Sequence, residues 1–156
     1  MCKRKKNPAI EDKINERLSG GAQKNALDFA AFLRANDMSL ERGIGFDGWN
    51  VYAKKTQIAM LAVDGEKNEF RIVLHISGHG GEAADDDLRE FTWAHVVPCP
   101  QGCGGPEFCE ESQNRRTILG KEYESTCQSP LAFFNLDAEE LKKAEKLIIM
   151  FILALK

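Results

Sequence analysis

The fold of this chain is decided by the stretch GWNVYAKKTQIAMLAVDGEKNEFRIVLHI, residues 48–76, in which apolar side chains tend to recur at every second position. A period of two is typical of β-strands that bury one face. Lys54 and Lys55 interrupt the first two segments, and Asp64 and Gly65 are a turn signal before the third. The stretch therefore predicts a three-stranded antiparallel meander.

The register of this meander follows from the loop at the turn signal. The five residues 64–68 can form that loop, which places Val63 opposite Glu69. One face is then wholly apolar, and helices are expected to pack against it. That face comprises Ile58, Met60, Ala62, Phe70, Ile72 and Leu74, and Trp49, Val51 and Ala53 join it if the loop around Lys54 and Lys55 has an even number of residues. A slip of one residue would turn a strand's apolar set to the opposite face, so the register is strongly constrained.

The second face of the meander is less polar than a solvent-facing surface normally is. It comprises Tyr52, Gln57, Ala59, Leu61, Val63, Arg71, Val73 and His75. Partial cover by the C-terminal segment would explain this composition, and the sequence favours that interpretation. The alternative is a ligand groove walled by aliphatic side chains, with Tyr52, Arg71 and His75 as its polar anchors.

Helices are predicted before and after the meander. Residues 8–20 carry apolar side chains four apart, which indicates a short helix that Gly20 and Gly21 end. Residues 22–37 predict a second helix, and residues 85–92 predict a third that is capped by the aspartates at its start. The apolar stripe of the second helix comprises Ala22, Ala26, Phe29, Ala30 and Leu33.

The C-terminal residues 137–156 predict a long helix whose two halves differ. Asp137 and Glu140 fit a capping box at its start. The first half is amphipathic, whereas residues 147–155 are apolar on every side. This second half is either sandwiched between the sheet and the N-terminal helices or paired with a second chain, and the sequence favours a homodimer with a two-fold interface. The side chains that point away from the helix's own stripe are Ile149, Met150, Ile152 and Leu153.

Together these patterns predict an α+β fold. Its antiparallel sheet comprises the three-stranded meander and one or two further strands, from residues 115–127 and 131–136. The sheet packs against the N-terminal helices and the long C-terminal helix. Residues 1–8 are expected to be a disordered basic tail, and residues 9–156 a single domain with a cysteine-rich loop at 95–127.

The composition of the chain argues against some classes of function. The chain has 156 residues and a formal net charge of −3, which argues against a general nucleic-acid binder because phosphates need a basic surface. The apolar run 147–155 is too short to span a membrane, which takes about 20 residues. The N-terminal residues lack the apolar core of a secretory signal, so we expect a cytoplasmic protein. Thiols stay reduced in that compartment, so clustered cysteines indicate metal or redox chemistry.

The segment HVVPCPQGCGGPEFC, residues 95–109, suggests a structural zinc site. Four thiolates complete the tetrahedral shell of Zn²⁺, and His95 could replace one of them. The four candidate ligands are Cys99, Cys103, Cys109 and Cys127. The alternatives are ordinary buried thiols, a redox site, for which the C-x-x-C spacing is absent, and a cysteine–histidine nucleophile pair.

Two groups of segments carry a resemblance to known proteins. GWNVYAKKTQIAMLAV and FRIVLHI resemble small bacterial domains of the YdhG-like kind. The cysteine segment followed by TILGKEY and DAEELKKAEKLI is similar to bacterial proteins with a cysteine-rich insert before the last helix. The resemblance covers residues 22–156 and implies N-terminal helices, an antiparallel sheet and a closing helix. It carries over no catalytic residue.

The function that these patterns favour is a non-enzymatic binding module with a structural zinc site. The alternative is a small-molecule sensor or a small enzyme that uses the groove beside Tyr52, Arg71 and His75. The two can be distinguished, because an enzyme gathers groups of shifted pKa in one pocket and a binding module does not.

Overall fold

The computed structural model describes residues 8–43, 48–75, 83–98, 116–124 and 126–155. Its helices are α1 (Ile10–Arg17), α2 (Gly20–Ala35), α3 (Asp86–Ala94) and α4 (Ala138–Ala154). Its strands are β1 (Ser39–Arg42), β2 (Gly48–Ala53), β3 (Thr56–Asp64), β4 (Glu69–Leu74), β5 (Val96–Pro98), β6 (Arg116–Ile118), β7 (Lys121–Tyr123) and β8 (Thr126–Phe134). None of the helices in these ranges has both the length and the apolar character needed to cross a membrane. The predicted basic tail lies, apart from Pro8, outside the described residues.

Six of the described strands form one antiparallel sheet in the order β1-β2-β3-β4-β8-β5. The predicted α+β fold and its central meander, β2-β3-β4, are confirmed. The sheet is larger than predicted because β1 and β5 form its two edges. Both edge strands are short, and Glu41 and Arg42 on one and Pro98 on the other discourage further pairing.

The register of the meander differs from the predicted one by one residue. Asp64 pairs with Glu69, so the loop between β3 and β4 has four residues, 65–68, and not five. Farther along β3, the ladder steps from the pair Val51–Ala59 to the pair Tyr52–Gln57. The residue skipped by this step is Ile58, which is therefore the extra residue of a β-bulge.

The shift reverses the predicted faces of most of β3. Leu61 and Val63 are buried in the core, whereas Met60 and Ala62 lie on the opposite face and are half-buried. Ile58 is buried as predicted, and Ala59 beside it is buried too. Two consecutive buried residues in a strand indicate the bulge, because the bulge shifts the alternation of inner and outer side chains by one residue.

The helices pack against the inner face of the sheet, as predicted. The inner face comprises Trp49, Val51, Ala53, Ala59, Leu61, Val63, Phe70, Ile72, Leu74, Leu131 and Phe133. The ring of Phe29 on α2 meets Phe70 edge-on at 6.1 Å between centroids, and Phe91 on α3 stacks on Phe133 at 5.4 Å. Leu141 on α4 borders a small apolar cavity with the same part of the sheet. The inner face is therefore the base of one continuous hydrophobic core.

The helix ends predicted from local signals are found in the structure, with one exception. Asp137 and Glu140 form the predicted capping box of α4, in which the Asp137 carboxylate accepts from the Glu140 amide at 2.8 Å. Asp85 caps α3 by accepting from the Leu88 amide at 2.8 Å. The exception is Gly20, which begins α2 and does not end α1.

Residues 116–123 form a hairpin outside the main sheet. β6 pairs only with β7 among the described strands, so of the two segments expected to supply one or two further strands, residues 116–123 do not join the main sheet. The indole Nε1 of Trp93 on α3 donates to the Ile118 carbonyl at 2.8 Å, and Ile118 and Leu119 are buried. The hairpin is thus attached to α3. The second further strand is confirmed as β8.

Candidate functional site

The sheet face opposite the helices is the candidate site, and we call it the outer face. Alternation along β2, β3, β4 and β8 places side chains on it, of which ten are considered as the candidate site. They are Asn50, Tyr52, Gln57, Met60, Ala62, Arg71, Val73, His75, Ala132 and Phe134. Nine of them are half-buried, and Phe134 is 50% exposed. The predicted anchors Tyr52, Arg71 and His75 are all on this face, whereas the predicted aliphatic walls Ala59, Leu61 and Val63 are in the core.

One end of the outer face carries a chain of polar side chains. The Gln57 amide Nε2 donates to Asn50 Oδ1 at 3.0 Å and lies 3.4 Å from His75 Nε2. Tyr52 is the register partner of Gln57 across β2 and β3. The structure therefore brings Tyr52 and His75 to the same end of the face, with Gln57 between them.

His75 is suited to the neutral state. Burial lowers the pKa of its imidazole because the charged form loses hydration. The contact with Gln57 also indicates the neutral state. An amide nitrogen only donates, so His75 Nε2 must accept with its lone pair. A neutral histidine of this kind can accept a hydrogen bond.

The other end of the outer face is formed by Arg71 and Phe134, which are register partners on β4 and β8. The Arg71 guanidinium carbon lies 4.8 Å from the centroid of the Phe134 ring, and Nη2 is 3.0 Å from a Glu69 carboxylate oxygen. Nε of Arg71 is buried and has no acceptor among the described residues. This end therefore presents a cation that stacks on an aromatic ring and keeps one unused donor.

The three predicted anchors do not converge on one point. Arg71 is on β4 and His75 directly follows its last residue, so the two lie four residues apart, which corresponds to about 13 Å along a strand. The surface between them is apolar, and it is formed by Met60, Val73 and Ala132. The outer face is thus an apolar floor between two polar ends, not a compact pocket.

A concavity of about 570 Å³ lies beside the Arg71 end, at the turn between β3 and β4. Its lining comprises Arg17, Ala62, Val63, Asp64, Gly65, Glu66, Glu69 and Arg71. Neither Tyr52 nor His75 borders it. Its charges are of both signs, so it does not select cations or anions by charge alone.

The side chains of the four predicted cysteine ligands lie outside the described residues. Cys99, Cys103 and Cys109 lie outside the described residues, and Cys127 is in β8 but its side chain is outside them too. Within the described ranges no cluster of three or more histidine, cysteine, aspartate and glutamate side chains could hold a metal ion.

His95, the possible substitute ligand, is at the C-terminal end of α3. Its Nδ1 lies 2.7 Å from the Phe91 carbonyl oxygen, which can only accept, so Nδ1 carries the proton. Its ring lies 4.7 Å from that of Phe91 and 4.8 Å from that of Phe133. A backbone partner on Nδ1 leaves Nε2 as the ring nitrogen that could bind a metal, and such a partner is usual for metal-binding histidines.

Groups with shifted pKa are scattered over the described residues. A hydrogen bond from Arg34 lowers the pKa of Glu11, and that from the Leu88 amide lowers the pKa of Asp85. Burial raises the pKa of Tyr123 on β7 and of Glu145 on α4. These groups and His75 lie on different elements, so they do not form one titrating cluster.

Five outer-face residues are absent from the face predicted from the sequence, and they are Asn50, Met60, Ala62, Ala132 and Phe134. Met60 was assigned to the core because the bulge at Ile58 is not visible as a break in the pattern of apolar residues. Phe134 was not considered, although it follows the buried Phe133 in the chain. The period of two in residues 131–134 could have identified it, since adjacent strand residues face opposite sides.

Comparison of the chain with protein-family models, with curated proteins and with solved structures gave no match. The resemblance to YdhG-like domains therefore stays a prediction.

Proposed function

We propose that this protein is a non-enzymatic binding module whose outer face holds a small, elongated molecule. The observation that carries the proposal is the one-sided packing of the helices, which leaves an apolar floor with a polar group at each end. The floor suits an apolar body, and the Arg71 guanidinium, whose side chain is 40% exposed, suits a carboxylate at one end. The Tyr52 and His75 end suits a hydrogen-bonding group.

Binding is favoured over catalysis by the scattered titratable groups. Acid–base catalysis requires groups of shifted pKa within hydrogen-bond reach of the same substrate atoms. On the described part of the outer face, the residue with a shifted pKa is His75, and the Arg71 end lies about 13 Å away along β4.

Linear saturated carboxylates of increasing chain length are the probes for this proposal, with calorimetry as the readout. Each added methylene that the floor buries should strengthen binding by about 0.8 kcal/mol, which is about fourfold in Kd. Arg71→Met should weaken binding by about tenfold, because it removes the charge and keeps the stem. Arg34→Met, on the helix layer, is the matched control and should leave Kd unchanged. A Kd that does not change with the length of the carboxylate, or with the substitution of Arg71, would contradict the proposal.

A second candidate function is a small-molecule sensor or a small enzyme at the same face. The observation that favours it is the neutral His75, whose side chain contacts Gln57, which in turn donates a hydrogen bond to Asn50. A catalytic role would require turnover that falls when His75 protonates, whereas a binding module would show only a pH-dependent Kd.

We also propose the structural zinc site. It is supported by the pairing of Pro98 with Thr126, the residues that directly precede Cys99 and Cys127 in the chain. The buried hydroxyl of Thr126 has no partner among the described residues, so the polar groups of this region are not all satisfied by them. The proposal assumes a bacterial cytoplasm, where thiols stay reduced and available to a metal. Elemental analysis should find one zinc per chain.

The proposed partner is a second copy of the chain. Leu153 is 77% exposed, and the last seven described residues of the chain, 149–155, are all apolar and none is buried. The described residues do not enclose this end of α4, which favours pairing over the sandwiched alternative.

A further inference from the structure

We infer that the molecule bound on the outer face ends in a primary amide at the end opposite Arg71, where a donor of Asn50 and an acceptor of Gln57 hold it. This inference rests on the proposed function and names the group that the molecule carries at that end. We call Asn50 and Gln57 the amide pair. They lie on the neighbouring strands β2 and β3, and both are half-buried.

The contacts within the amide pair determine which of its groups remain available. Gln57 Nε2 donates to Asn50 Oδ1 at 3.0 Å and lies 3.4 Å from His75 Nε2, so both of its hydrogens are engaged. Gln57 Oε1 is left as an acceptor, and Asn50 Nδ2 is left as a donor. Among the described residues neither of these two atoms has a hydrogen-bond partner, and neither atom is buried.

His75 acts on the amide pair as a positioning residue. Its ring nitrogen engages the second N–H of Gln57, so the amide of Gln57 is held between two partners and its Oε1 keeps one direction. Exchanging the nitrogen and the oxygen of both amides would leave Gln57 Nε2 and Asn50 Oδ1 available, which is again one donor and one acceptor. The amide pair therefore presents both kinds of group in either orientation.

One donor beside one acceptor is complementary to an amide. The carbonyl oxygen of a bound amide accepts from Asn50 Nδ2, and its N–H donates to Gln57 Oε1, so all four groups are satisfied. A carboxylate of the same shape only accepts, and one of its oxygens would face the lone pairs of Gln57 Oε1. An ammonium only donates, which would leave Asn50 Nδ2 without an acceptor. The amide pair therefore selects an amide over both charged groups.

The distance between the two ends of the outer face limits the length of the molecule. Gln57 contacts His75, which lies about 13 Å from Arg71 along the strand direction. A carbon–carbon bond is about 1.5 Å long, so an extended saturated chain of roughly ten carbons covers this distance. A carboxylate that ends in an amide can engage both ends only near this length. We therefore expect its affinity to pass through a maximum.

Calorimetry of the full chain with matched series of probes tests the inference. The probes are linear carboxylates of about six to fourteen carbons whose far end is a methyl, a primary amide, a second carboxylate or an ammonium group. The amide-ended series should reach its lowest Kd near ten carbons. At that length the amide-ended probe should bind about tenfold more tightly than the dicarboxylate, which has the same shape and lacks the N–H donor.

Asn50→Asp should reverse the preference between an amide and an ammonium group. The variant keeps the oxygen that accepts from Gln57 and replaces the available donor by a second acceptor. The amide-ended probe should then bind about tenfold more weakly and the ammonium-ended probe about tenfold more tightly, so the ratio of their Kd values changes about a hundredfold. Asn15→Asp is the matched control, because Asn15 Oδ1 accepts from Gln23 Nε2 at 3.2 Å in a similar pair on α1 and α2. It should leave every Kd unchanged.

The outcomes separate this inference from the proposed function. Absence of binding by the methyl-ended and the amide-ended probes alike overturns both. Methyl-ended probes that bind more tightly as they lengthen, together with no preference for the amide over the second carboxylate, overturn the inference and leave the proposed function standing. An amide-ended series whose affinity rises without a maximum also overturns the inference, because its far end is then not held. An Asn50→Asp chain that retains the preference for the amide overturns the role of Asn50.

Discussion

At the scale of single residues, Asn135 links three parts of the sheet. It adopts a left-handed conformation with φ of +46°, which asparagine tolerates better than most residues. Its Oδ1 accepts from the Phe70 amide at 2.8 Å, and its Nδ2 donates to the Asn68 carbonyl at 3.1 Å. One side chain thereby holds the end of β8 against the start of β4, beside the Arg71 end of the outer face.

Asn135→Ala should lower the free energy of unfolding by about 2 kcal/mol. The change leaves the partly buried Phe70 amide without its acceptor and puts alanine in a left-handed conformation, each of which costs about 1 kcal/mol. Urea denaturation is the measurement. Asn135→Gly should cost about half as much, because glycine adopts this φ freely. Equal losses for the two variants would show that the conformation contributes nothing.

His75 gives the fold a dependence on pH. Because burial lowers its pKa in the folded state, the unfolded chain binds the proton more tightly. The contribution of His75 to stability is complete above its pKa in the unfolded chain, which is about 6.5. It declines as the pH falls from that pKa through the lower pKa that His75 has in the folded chain. The free energy of unfolding should therefore rise with pH across this window. His75→Gln should flatten that part of the profile, and an unchanged slope would contradict the assignment.

At the scale of elements, the bulge at Ile58 determines which residues β3 gives to the core. The strand Thr56–Asp64 is apolar on both faces, so its composition permits either register. The bulge and the four-residue loop to Glu69 select the register in which Leu61 pairs with Ile72. As a result Met60 becomes part of the floor of the outer face.

The paired variants Leu61→Ala and Met60→Ala test this register. Leu61 is fully buried, so its truncation should cost about 2–5 kcal/mol through lost burial and the cavity left behind. Met60 is half-buried, and its truncation should cost clearly less. Thermal and urea unfolding of the two proteins give the comparison. A larger loss of stability for Met60→Ala than for Leu61→Ala would contradict this register and support the one predicted from the sequence.

At the scale of the whole molecule, the described helices cover one face of the sheet, and the proposed binding takes place on the outer face. The core joins all four described helices to the inner face, and the hairpin β6–β7 is attached to α3 through Trp93. Beyond the end of β5 the chain enters the cysteine segment, which a metal would cross-link to β8 through Cys127. The zinc site would then stabilise the molecule at the β5 edge.

Loss of zinc should destabilise the folded protein without unfolding it completely, since the hydrophobic core does not depend on the cysteines. Cys103→Ser should lower both the zinc content and the melting temperature, because metal binding that requires the fold adds to its stability. Cys2→Ser, outside the predicted ligand set, is the matched control and should retain the metal. Zinc-free wild-type protein, purified without chelator and with reactive thiols, would refute the site.

The sequence by itself determined the elements whose stabilising interactions are local. The stripe of α2, the capping box of Asp137 and Glu140, and the alternation in β2 and β4 depend on contacts within a few residues, so they are visible in one segment. The anchors Tyr52, Arg71 and His75 could be assigned to one face for the same reason. Only the tertiary structure decided the bulge at Ile58 and the pairing of β1 and β5 with the meander and β8. These features depend on hydrogen bonds and packing between distant segments, and when both faces of a strand are apolar its local pattern does not determine which of them is buried.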